Sequence, residues 1–276
     1  MNMAVDSAIL TGVREGTSPA TIRFFRWASP TLSIGYAQEP EKDFRLDLLE
    51  KNGIDLVRRP TGGGAILHER DLCYSVAASL SDPRFPSTLR GSYGMIGEAV
   101  ILFLNTLGID AQWGGGKVRG WRPSGAACFD SASPFEILTK GRKIVGSAQR
   151  RTSGAFLQQG SIMLDGEPET IRAFVRSGPS EISRENRQRR FPKRSTATLP
   201  VDLLKECFEK TFGVECVPGS LTPREKALLE EIVKENRKSN EWDDSGISME
   251  GGRMRRGGTK IPSVDGRPVK AYSFSS

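Results

Sequence analysis

Histidine and cysteine are scarce in this chain of 276 residues: His68 is the sole histidine, and Cys73, Cys128, Cys207 and Cys216 form no C-x-x-C pair. Zinc fingers and multi-histidine metal centres need ligand sets that this composition does not supply, so no metal site is expected. The thiols read as reduced ones, among which an unusual thiol is a candidate nucleophile. Long apolar runs are missing as well. Nothing approaches the ~18 consecutive apolar residues of a membrane span, and the opening "MNMAVDSAILTGVREG" carries acids where a signal peptide has a basic start and an apolar block. A cytoplasmic protein without membrane contact is expected. No RNA-recognition signature and no basic stripe interleaved with aromatics is present, so nucleic acid is not expected as a partner.

What is present is a foldable core and a basic surface. Hydrophobic residues make up 37% of the chain, enough for one large domain, and the formal charge is +7. Part of that charge sits in "RENRQRRFPKR", Arg184 to Arg194, which reads as solvated surface or as a face that recruits an acidic partner.

Periodicity supplies the architecture. Val5, Ile9, Leu10 and Val13 fall at helical spacing. "TIRFFRW" and "TLSIGY" read as strands on either side of an "ASP" turn, "EKDFRLDLLEKNG" as a helix stopped by Gly53, and "IDLVRR", "GAILH" and "LCYSVAAS" as successive strands. A helix is expected from Tyr93 to Leu107. Two strands are expected about Lys140 and Gly141, then another in "AFLQQGSIML" and helices in "VDLLKECFEKTFG" and "TPREKALLEEIVKENRK". The fold class is α+β, a mixed sheet flanked by helices that should lie on one side of it. Residues 1–238 form the domain. From about Ser239 the chain is rich in Gly, Ser, Arg and Lys with few apolar anchors, so 239–276 is expected to be a disordered tail.

Two stretches carry chemistry. "RRPTGGGAILHERD" places Gly62, Gly63 and Gly64 between two strands, where they permit positive φ and close approach of a ligand, or serve a plain hairpin or bulge. It is neither a Walker A loop nor a dinucleotide fingerprint. His68 nearby is a hydrogen-bonded structural residue or a base. In "ACFDSASPFEILTKGRKIVGSAQRR", Cys128 lies in a loop of small residues, whereas Cys73, Cys207 and Cys216 lie in apolar stretches and read as packing thiols. Lys143 precedes "IVGSAQ" in a strand: turned inward it would pair with an anion or favour a thiolate at Cys128, turned outward it is a hairpin lysine.

Taken together, "NMAVDSAIL", "RFFRWASPTLSIGYAQ", "RRPTGGGAILHERDLCYS", "ACFDSASPFEI", "GRKIVGSAQRR" and "LQQGSIML" resemble the lipoate-protein ligase and octanoyltransferase family, kin of the biotin ligases. The resemblance implies the biotin/lipoate ligase catalytic-domain fold. The cysteine loop is similar to that of octanoyltransferases whose acyl-cysteine lies just upstream of the lysine strand. It implies octanoyl transfer through a thioester on Cys128, from octanoyl-acyl carrier protein to a lysine of a lipoyl domain or glycine-cleavage H protein. Lys143 would move protons, and no cofactor would be needed. Arg59 with Gly62, Gly63, Gly64 and His68 would line the acyl site, and Gly146, Ser147, Ala148 and Gln149 would flank the reacting carbonyl. Arg150 and Arg151 would help to steer an acidic carrier, and the protein would act as a monomer. The alternatives are an ATP-dependent lipoate ligase, an amidotransferase between lipoyl proteins, and a carrier-binding protein without catalysis. The sequence departs from the family in three places. Gln159 stands where relatives often have histidine, the segment after Trp242 has no counterpart, and no strand precedes "NMAVDSAIL". The last implies a sheet short of one edge or a misassigned start.

Overall fold

The computed structural model describes residues 1–114, 136–164, 168–176, 200–239 and 269–273. An eight-stranded sheet forms the centre, in the order β10 (Cys216–Pro218), β11 (Val269–Ser273), β1 (Thr21–Phe25), β5 (Leu72–Ser79), β9 (Ala155–Ile162), β8 (Arg142–Arg151), β7 (Ile137–Thr139) and β6 (Ala111–Trp113). Strand β11 runs parallel to both of its neighbours and the other pairs are antiparallel, so the sheet is mixed. A smaller sheet holds β2 (Thr31–Ile34) between β3 (Asp55–Arg58) and β4 (Ile66–His68).

Helices cover both faces of the large sheet, not one. The cause is legible in β5, where seven consecutive positions are buried, so neither face can be left to solvent. On one face α4 (Leu89–Thr106) and α5 (Val201–Phe212) pack Ile96, Val100, Phe103 and Phe208 against Ile22, Phe24, Tyr74 and Val76. On the other, α1 (Asn2–Arg14) sets Val5, Ile9 and Val13 on Ala77, Ala155 and Leu157, backed by α6 (Pro223–Ser239). Helix α1 is buried at ten of its thirteen positions because it lies between the sheet and α6.

Several expectations shift. Strands β1 and β2 flank the "ASP" turn but enter different sheets, since the Pro30 carbonyl accepts the Asp55 N–H and hands β2 to β3. The expected helix before Gly53 splits into α2 (Pro40–Asp43) and α3 (Leu46–Lys51), because Phe44 leaves the helix to bridge Val175. Helix α4 begins four residues earlier than Tyr93, capped by Thr88, whose hydroxyl accepts the Gly91 N–H at 3.1 Å. The β7–β8 turn is as read: Lys140 and Gly141 have φ of 48° and 73°, the signs a two-residue type I′ hairpin needs. Within the expected tail, Val269–Ser273 is a strand, so the edge of β1 is not bare. Its Val269 and Tyr272 suit a strand that the Gly-rich, charged composition around it obscures.

Candidate active site

The triple-glycine loop connects β3 to β4 and is built around a buried guanidinium. Arg59 donates from Nη2 to the carbonyls of Gly62 and Gly64, at 2.8 and 2.7 Å, and from Nη1 to the carbonyl and Oγ of Ser33. Gly63 takes φ of +93°, and a Cβ added to Gly35 would stand 2.0 Å from the Gly63 oxygen. What first comes close to this backbone is therefore another strand of backbone, at Gly35, with Arg59 drawing the loop carbonyls inward.

A small, half-open cleft with a mainly apolar lining lies beside the loop. Of the residues expected at the site, Arg59, His68, Gly146, Ser147 and Ala148 line it. Gly62, Gly63, Gly64 and Gln149 do not. Gln149 instead bonds Gln158 and Ser92. The apolar part of the wall comes from residues that the sequence did not single out, among them Met3, Phe25 and Trp27.

His68 is held on both ring nitrogens, by Ser33 Oγ at 2.7 Å on Nε2 and by Asp71 Oδ2 at 2.5 Å on Nδ1, with Trp27 stacked on its face. Asp71 Oδ2 also accepts from Ser161 at 2.6 Å and from the Cys73 thiol at 3.1 Å. Burial alone would push the Asp71 carboxyl up, but His68 and these donors outweigh it and hold it below its ordinary range. The same burial, with Asp71 beside it, pushes the Cys73 thiol well up. Cys73 is thus a protonated donor in the cavity wall and not a nucleophile.

Gln159 takes its place in a buried chain of bonds: Thr61 Oγ1 donates to its Oε1 at 2.8 Å, and its Nε2 donates to Asp6 Oδ2 at 2.6 Å. Asp6 in turn pairs with the buried Arg23 at 2.8 Å, tying α1 to the glycine loop. The neighbouring Gly160 is obligatory, since a Cβ there would lie 2.2 Å from the Tyr74 ring. Tyr74 reaches Ser147 Oγ at 2.8 Å and Tyr93 donates to the Ser147 carbonyl at 2.8 Å, so the "GSAQ" strand is fixed from two sides.

Lys143 faces inward. Its Nζ lies 2.7 Å from Glu136 Oε1, with both side chains about nine-tenths buried. A β-bulge between Ile137 and Leu138 sets Ile144 out of register, which lets both Ile144 and Val145 enter the core. Glu136 went unnoticed in the sequence because a lone carboxylate near a turn looks like surface. Its backbone carbonyl accepts the Gly114 N–H at 2.7 Å, so residues 114 and 136 meet next to Lys143. Cys128 and the Arg184 to Arg194 run lie outside the described residues. Arg150 and Arg151 are partly committed to the structure, Arg150 to the Pro60 carbonyl at 3.3 Å and Arg151 to Ser92 at 3.3 Å.

The large mixed sheet thus carries an inward lysine on β8, and the smaller sheet the glycine loop. Residues 1–215 match the lipoyl protein ligase A/B catalytic domain, and the chain belongs to that family as an acyltransferase-class enzyme. It is 39% identical over 258 residues to a Geobacillus kaustophilus protein named Octanoyltransferase LipM, covering 88% of this chain and 92% of that one. Among solved structures it is similar to a T. acidophilum protein assigned to the lipoate protein ligases, with bound lipoic acid (TM-score 0.68, 26% identity, 90% and 94% of the chains). It is also similar to a lipoate-protein ligase A bound with ATP (TM-score 0.67, 26% identity, 89% and 93%).

Proposed function

We propose that the chain moves an octanoyl group from octanoyl-acyl carrier protein, through a thioester on Cys128, to a lysine of a lipoyl domain or glycine-cleavage H protein. One observation carries this reading most. The segment holding Cys128 leaves and rejoins the described structure at Gly114 and Glu136, and Glu136 is the residue paired with Lys143. Lys143 therefore stands beside the two points from which the stretch containing Cys128 departs and to which it returns.

In the first half-reaction the Cys128 sulfur attacks the thioester carbonyl and the carrier thiol leaves, an exchange nearly neutral in free energy that needs no ATP. In the second, the acceptor amine attacks the Cys128 thioester, an amide forms and the thiol is regenerated. Lys143 relays the proton of the thiol to the departing carrier sulfur, and later relays a proton of the acceptor amine back to the Cys128 sulfur, with Glu136 as its counter-charge. The acyl chain lies in the cavity against Met3, Phe25 and Trp27. Arg59 holds the loop above it.

Mixing the protein with octanoyl-acyl carrier protein, without acceptor or ATP, should give a hydroxylamine-sensitive adduct by intact mass. Cys128→Ala should abolish adduct and transfer, while Cys73→Ala, Cys207→Ala and Cys216→Ala retain the adduct. A second reading is favoured by the neighbours solved with lipoic acid and with ATP, namely ATP-dependent ligation of free lipoate. Normal turnover of Cys128→Ala with ATP and free acid would establish it in place of the first.

A further inference from the structure

His68, Asp71 and Cys73 bring an imidazole nitrogen, a carboxylate oxygen and a sulfur together inside the protein, all three residues buried. Nδ1 and Oδ2 are 2.5 Å apart, Sγ and Oδ2 3.1 Å, and Sγ and Nδ1 3.7 Å. A triangle of these sides has a point roughly 2 Å from every corner, close to the distances zinc keeps to nitrogen, oxygen and sulfur. The Nδ1–Oδ2 edge is short for a tetrahedron and has to open by roughly 0.8 Å. Composition excluded a multi-histidine centre. A mixed set of one imidazole, one carboxylate and one thiolate is a different site, and its sulfur selects zinc-class ions over magnesium or calcium.

The surroundings are those of a metal ligand set. The second imidazole nitrogen is already held by Ser33 Oγ, the ring is stacked on Trp27 at 4.7 Å between centroids, and Ser161 donates to Asp71. His68 and Cys73 both line the cavity, which provides an entry path and room for water as a fourth ligand.

We propose that His68, Asp71 and Cys73 form a binding site for a zinc-class divalent cation in the wall of the acyl cavity, and that the bound cation excludes the acyl chain. Binding releases one proton: the Cys73 thiol loses its proton to solvent as the metal–sulfur bond forms. His68 shifts its proton from Nδ1 to Nε2, where Ser33 Oγ accepts it. Asp71 binds as the carboxylate it already is. Only the exclusion of the acyl chain rests on the function proposed above.

The test uses cobalt(II) in place of zinc, added to the full chain after treatment with a chelator. A near-ultraviolet sulfur-to-cobalt band is expected in the wild type and in Cys128→Ser, Cys207→Ser and Cys216→Ser. It should be absent from Cys73→Ser, and cobalt should bind about 100-fold more weakly to His68→Gln, a variant that keeps the test intact if the serine protein does not fold. No band at millimolar cobalt in the wild type, or a band that disappears with Cys128 and not with Cys73, overturns the site. Zinc should compete with cobalt for the band and block the octanoyl adduct. A cobalt band at Cys73 with unimpeded adduct formation overturns the exclusion while leaving the coordination in place; failure of the adduct without any metal overturns the acyl reading instead.

Discussion

The two faces of the large sheet are built from different chemistry. Between the sheet and α4 and α5, aromatic rings interlock: Phe208 meets Phe24 at 5.7 Å and Phe212 at 5.3 Å, and Phe85 meets Phe156 at 5.8 Å. Beneath α1, the same strands turn Arg23, Ser75 and Gln159 inward, and Asp6 of the helix collects all three. Burial on the first face stabilises without specifying a position. On the second, each desolvated charge has its partners at fixed positions, which aligns α1, β1 and β9 with the glycine loop. The cavity opens on this second face, where Met3, Phe25, Cys73 and Gln159 meet.

The comparison breaks or sharpens under substitution. The largest effect belongs to Lys143→Met, which keeps the stem and removes the charge: acylation by octanoyl-acyl carrier protein should slow by about 10²–10⁴-fold in rapid-quench assays, with a lowered Tm because the buried Glu136 is stranded, and adding Glu136→Gln should restore much of the Tm but not the rate. Next come the two faces themselves. Phe208→Ala should cost about 3–5 kcal/mol in chemical denaturation while the protein that remains folded turns over normally; a fall in kcat would mean that the faces are not separable. Arg23→Met should cost a similar ~3–5 kcal/mol by stranding Asp6, and adding Asp6→Leu should recover much of that stability but not the KM. Gly63→Val comes after these. Its backbone is at φ +93° and a Cβ would press on Arg59 Nη2 at 3.2 Å, so about 1–3 kcal/mol of strain and a raised KM are expected, and an unaltered KM would reduce the loop to a turn. The smallest effect is on the apolar face. Burial, and then Glu209, push the Cys216 thiol from 9.0 to about 11. A raised thiol stabilises the fold while the unfolded thiol is also protonated, so stability should decline from about pH 9 to about pH 11, and Cys216→Ala should flatten that decline in pH-dependent melts.

Much of this was legible locally. Helical spacing gave α1, and the Lys140–Gly141 pair gave the β7–β8 turn, because both depend on neighbours within a few residues. Arg59 and His68 stood out through the unusual composition of their stretch, and the "GSA" strand through the family resemblance. The missed residues are those whose meaning lies across the chain. Asp71 matters through Ser161 and Gly160 through Tyr74, separations that no periodicity records; Gln159 was noticed as a departure from the family, but its bonds to Thr61 and Asp6 were not legible. Sheet membership failed for the same reason: β1 and β2 look alike in sequence, and only their partners tell them apart.

Strand β11 joins the two ends of the sequence, with Thr21 opposite Lys270. A ribosome delivers β1 long before β11, so the growing chain carries an uncovered strand edge through most of its synthesis. Strand β10 must wait too, since among the described residues its one neighbour in the sheet is β11. Pairing over so great a separation in sequence is slow to form. The interval before residues 269–273 dock is therefore when a nascent chain of this protein is most open to edge-to-edge association, and when a chaperone that shields β1 would do most for its yield.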